Sequence, residues 1–187
     1  MPDHPRADAV DTSPASLVIK IRQAFSPARE KFTPVSEPAK AFSVRGEITN
    51  EVDADNWRLV DPDILARNKN LAGLLVFMDG PTWRHYLPIW LTIATTHGAQ
   101  LRDLVSIVIT TLDPKTIVLA DDAARFAERT NILTDAQRAT IADVLAAFAS
   151  FPWINNNGRS LAQVEGLVAL WRQLTKISGR PGLSGAA

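Results

Sequence analysis

The 187-residue chain contains no cysteine. That excludes a disulfide framework, a thiol nucleophile and any thiolate-held zinc or iron-sulfur centre. It also lacks an excess of either charge, since 20 basic and 20 acidic side chains cancel. A general nucleic-acid binder needs a basic surplus to neutralise phosphates, so the chain is not expected to bind nucleic acid. Histidine is scarce, with only His4, His85 and His97. On one helix His85 and His97 would stand ~120° apart around the axis and ~18 Å apart along it, too far to share a metal ion. No metal or cofactor is expected.

Long apolar runs are missing too. The longest helical candidate, Trp83 to Ala94, is interrupted by His85 and Pro88 and falls short of the ~20 residues of a membrane span. Met1 to Ala15 carries Asp3, Asp8 and Asp11 and has no apolar stretch of the kind a secretory signal requires. The expectation is a cytoplasmic protein without a membrane segment. Also absent are H-E-x-x-H, G-x-S-x-G, G-x-x-x-x-G-K-[ST] and G-x-G-x-x-G, so zinc protease, hydrolase, phosphate-loop and dinucleotide readings lose their usual support.

What is present is helical. With 46% hydrophobic residues and a length close to the ~150 residues of an average domain, the chain reads as one domain. Residues 1–13 are expected to form a disordered tail, 14–177 a helical domain, and 178–187 a second disordered tail. Leu17, Val18, Ile21, Ala24 and Phe25 make one helical stripe, with Ser13 and Pro14 as cap and first turn. Ser26 to Ser43, broken by Pro27, Pro34 and Pro38, reads as a connection, and Asp61-Pro62 as the start of a helix through Ile64 and Leu65.

A third helix opens at Asp79-Gly80-Pro81. Trp83, Tyr86, Leu87, Trp90, Leu91 and Ala94 form its buried face, with His85, Thr92 and Thr96 on the solvated side, a bend at Pro88 and a stop at Gly98. Leu101, Leu104, Val105, Val108 and Leu112 repeat the spacing. The β-branched content of Val105 to Thr111 admits a strand, but alternation fails and the helical template fits better.

Asp113-Pro114 marks a break. Asp121 or Asp122 then caps a short helix carrying Phe126. Thr134 with Gln137, and Ser160 with Gln163, are two capping boxes. The first opens a helix with Ile141, Val144, Leu145 and Phe148 on its inner face, and the second one with Leu161, Val164, Leu167, Val168, Trp171 and Leu174. The whole pattern predicts an all-α fold, a single compact domain of about six to eight helices.

Two places invite a functional reading. The cluster Arg84, His85 and Tyr86 beside Pro88 is a polar candidate, yet Tyr86 on an apolar face is more simply an anchored core residue. Glu47, Glu51, Asp53, Asp55, Asp61 and Asp63 stand against the single base Arg58, making this the only strongly signed segment. It is either a solvated connection or a surface that meets a basic partner.

The strings Asn56-Trp57-Arg58-Leu59, Trp83-Arg84-His85-Tyr86-Leu87-Pro88, Leu133-Thr134-Asp135-Ala136-Gln137-Arg138 and Ala169-Leu170-Trp171 follow one another in that order. Together they resemble a bacterial domain family of unknown function. That family has an F-R-Y-Y-L-P-A-F-like core, a downstream L-T-x-E-Q-R helix start and a closing A-L-x-x-Y-W-like helix. The likeness spans Leu17 to Leu174, with Trp83 where the family usually has Phe and His85 where it has Tyr. The resemblance implies a fold but no activity, because the family's markers look like core and caps. The functional expectation is therefore a non-catalytic binding protein of the immunity type. Its partner would be a toxin domain with a basic cleft, met by the six acidic residues. The competing readings are an enzyme using Asp121, Asp122 or Glu128, and a structural or regulatory adaptor.

Overall fold

The computed structural model describes residues 12–25, 73, 75–76, 78–115, 122–156 and 160–178. Six helices make up most of them, and no strand occurs among the described residues. They are α1 (Pro14–Ala24), α2 (Gly80–His97), α3 (Arg102–Leu112), α4 (Asp122–Asn131), α5 (Asp135–Ala149) and α6 (Leu161–Ser178), with a 3-10 turn at Ile154–Asn156. Gly73, Leu75 and Val76 are helical as well. Among the described residues no helix is long and apolar enough to cross a membrane.

Local sequence sets the helix starts. Ser13 caps α1, its hydroxyl accepting the Ser16 N–H at 3.3 Å, and Asp79 caps α2 through the Thr82 N–H at 2.9 Å. Each of these helices has proline in its first turn, where the missing N–H costs nothing. Both capping boxes form. Thr134 and Gln137 exchange bonds of 3.0 and 3.2 Å at the head of α5, and Ser160 and Gln163 exchange bonds of 2.8 and 3.2 Å at the head of α6. Asn155 adds a second cap to α6 by accepting the Leu161 N–H. Val105 to Thr111 is helical throughout; its inward spacing outweighs its β-branched content.

Packing centres on α2, which touches α1, α3, α4 and α5, while α5 and α6 make the most extensive helix pair. That position corrects the expected one-sided burial of α2. Besides the stripe of Trp83, Tyr86, Leu87, Trp90, Leu91 and Ala94, the residues Pro88, Ile89, Ile93 and Thr95 are also buried. A helix surrounded by neighbours buries more than one face. His85, read as solvated, is half-buried with its ring edge-on to Tyr86 at 4.9 Å. Thr92 is likewise half-buried. The buried Thr95 and Thr140 satisfy their hydroxyls within their own helices, on the Leu91 and Ala136 carbonyls.

Gly98 ends α2 for a reason other than the left-handed turn its position suggests. Its backbone is right-handed, with φ −59° and ψ −27°, and what requires glycine is the close approach of the Ala94 carbonyl oxygen and of the Phe151 ring. A Cβ at residue 98 would lie 2.7 and 2.9 Å from two atoms of that ring. The ring cannot yield freely, because it belongs to a stack. Phe148, Phe151 and Trp153 follow with centroids 5.7 and 5.4 Å apart, and the Arg102 guanidinium covers Trp153. Gly98→Ala is therefore expected to cost about 1 to 3 kcal/mol, the range for overpacking, in urea denaturation followed by circular dichroism.

Candidate functional site

The six acidic residues expected at an interface, Glu47, Glu51, Asp53, Asp55, Asp61 and Asp63, lie outside the described residues, as do Trp57, Asp121 and the expected helix from Asp61. Of the second polar candidate, beside Pro88, Tyr86 belongs to the core while Arg84 and His85 are half-buried. Trp83 and Trp90 are wholly enclosed, and Tyr86 is buried with its ring edge-on to Trp90 at 6.2 Å. Asp122 opens α4. Glu128, the remaining carboxylate of the enzyme reading, serves a helix end: its Oε1 accepts the Gly80 N–H at 3.1 Å. That N–H is one of the donors an α-helix cannot satisfy internally at its start.

The neighbouring Arg129 adds a buried cation to this junction. It is 5% exposed, and its Nη2 donates to the carbonyls of Met78 at 2.6 Å, Val76 at 2.8 Å and Leu75 at 3.5 Å. Its guanidinium lies 5.4 Å from the centre of the Trp83 ring. A desolvated cation over indole is worth up to about 2 kcal/mol. Consecutive side chains of α4 thus hold both sides of Asp79, with Arg129 on the carbonyls before it and Glu128 on the amide after it. Gly80 permits this approach, since a Cβ there would meet Glu128 Oε1 at 2.6 Å.

A second buried arginine, Arg138, ties the end of α4 to α5. It donates from Nε and Nη2 to the Thr130 carbonyl at 3.2 and 2.9 Å, and from Nη1 to Asp135 at 2.8 Å. Sequence reasoning passed over both arginines. Arg138 had a signal, as it lies four residues after the Thr134 cap and one turn from Asp135. Arg129 had none, because its acceptors are carbonyls 51 to 54 residues earlier. These groups support the backbone. Among the described residues, no three His, Asp or Glu side chains come together as a metal site.

A model of a family of unknown function, DUF6714, matches residues 16–175. The chain belongs to that family. The matched span begins inside α1 and ends inside α6, so it covers the described helices except the first two residues of α1 and the last three of α6. No curated protein and no solved structure matches.

Proposed function

We propose that this DUF6714 member acts by stoichiometric binding, as an immunity-type protein that covers the active surface of a toxin domain. The observation that carries the reading is the concentration of acid between Glu47 and Asp63, six carboxylates against Arg58 in a chain whose total formal charge is zero. A toxin domain acting on nucleic acid or nucleotides presents a basic cleft, and a dense negative segment is drawn to such a cleft and discriminates against other surfaces. The helical body supports this role as a scaffold. Glu128, the one carboxylate of the enzyme reading whose side chain is described, is engaged at the start of α2.

The test is genetic first. The gene should sit beside a toxin gene whose expression arrests growth in its absence and is tolerated in its presence. A locus without such a gene, or purified protein turning over a substrate with no partner present, defeats the proposal. With the toxin in hand, Asp53→Lys combined with Asp55→Lys should slow association by about tenfold at low salt while leaving the fold intact. The wild-type association rate should itself fall as salt is added. An unchanged rate in the double variant, measured by stopped flow, removes these residues from the interface.

A further inference from the structure

We infer that α4 is a latch: together with its junction to Leu75, Val76 and Met78–Gly80 it opens as one unit, while α5 and α6 stay folded. The basis is how α4 is held. Of its described side chains, Ala123, Ala124, Ala127, Glu128 and Asn131 are exposed, and Arg125 and Phe126 are half-buried. The two that are buried, Arg129 and Thr130, are polar. The other helices differ: α3 buries Leu104, Val105, Val108, Ile109 and Leu112, and α5 buries Ile141, Val144, Leu145 and Phe148. A ten-residue helix is marginal in water by itself, and where apolar burial is slight the free energy of local opening is low.

The attachments of α4 lie at identifiable atoms. Arg129 grips the carbonyls of Leu75, Val76 and Met78 and covers the Trp83 ring. Glu128 holds the Gly80 N–H. Phe126 meets Trp171 edge-on at 5.9 Å. Arg138 retains the Thr130 carbonyl from the α5 side, which places the hinge between Thr130 and Thr134. Because Glu128 and Arg129 are adjacent on one helix, neither bond set can break by rotation of α4 without straining the other. Release of α4 therefore frees both sides of Asp79 and uncovers one face of Trp83. The latch is independent of whether the acidic stretch binds a partner.

Native-state hydrogen exchange on the full chain tests the latch. The amides of α4 and of Gly80 should exchange with one shared opening constant, at least about a hundredfold larger than that of the slowest amides in α5 and α6. Arg129→Met removes the carbonyl bonds but keeps an unbranched side chain. It should raise that shared constant by at least about tenfold, the loss expected of charged hydrogen bonds, and leave the slowest α5 and α6 amides unchanged. Equal protection of α4 and α5 in the wild type overturns the inference, as does a Gly80 amide that opens separately from α4. An Arg129→Met protein whose α5 and α6 amides accelerate as much as those of α4 overturns it too. If Arg129→Met does not fold, the wild-type exchange pattern alone decides.

Discussion

Trp90→Ala is expected to lower the unfolding free energy by about 3 to 5 kcal/mol, the cost of emptying a large aromatic from a core. The side chain is 0% exposed and sits in the middle of α2, the helix that touches α1, α3, α4 and α5. The cavity would therefore open where several helices meet, and collapse at one wall would strain the others. Urea denaturation followed by far-ultraviolet circular dichroism measures the effect. A variant with wild-type stability would show that the site relaxes freely and that the packing around α2 is loose. One atom moderates the figure. Trp90 Nε1 is buried without a hydrogen-bond partner among the described residues, so the native state carries the desolvation cost of that N–H. Replacing the indole by phenyl removes this cost, and Trp90→Phe should be far milder than Trp90→Ala.

Features encoded within a few residues of one another were legible from the chain. Ser13, Asp79, Thr134 with Gln137 and Ser160 with Gln163 all cap the helices they were expected to cap, because a cap involves a side chain and an amide three residues on. The stripes of α5 and α6 were legible for the same reason of period. What the period cannot convey is how many neighbours a helix has. Ile89, Ile93 and Thr95 lie off the stripe of α2 and are buried only because other helices close over them. Trp153 is another such case: its place between Phe151 and Arg102 comes from the approach of the 3-10 turn to the start of α3.

The same distinction explains why the body of the protein could be read and its candidate interface could not be located. Capping boxes and stripes identify scaffold, and of the strings that resemble the family those in α2, at the head of α5 and in α6 are of that kind. Membership in DUF6714, a family of unknown function matched over residues 16–175, accordingly assigns no activity. The acidic segment has no period or cap of its own beyond Asp61-Pro62, and its significance rests on charge alone. Charge predicts an effect on encounter rate and salt dependence, which is why the binding proposal is tested through those quantities and the scaffold through stability.

Trp171→Ala should destabilise at least as much as Trp90→Ala, by about 3 to 5 kcal/mol from the cavity, with a hydrogen bond lost in addition. Trp171 is 1% exposed, and its Nε1 donates to the Leu112 carbonyl at 3.0 Å. Leu112 is the last residue of α3, where carbonyls have no N–H donor within their own helix. The indole thus closes the end of α3 while filling the space beneath Phe126. Trp171→Phe separates the two roles. Phenyl restores most of the volume but leaves a buried carbonyl without its donor, an expected loss of about 1 to 3 kcal/mol. Trp90→Phe removes an N–H that had no such partner, so the two Trp→Phe variants should differ although both side chains are fully enclosed. Equal losses in parallel urea titrations would mean that the bond from Trp171 to Leu112 contributes nothing net. A larger loss for Trp171→Phe assigns the difference to closure of the α3 terminus.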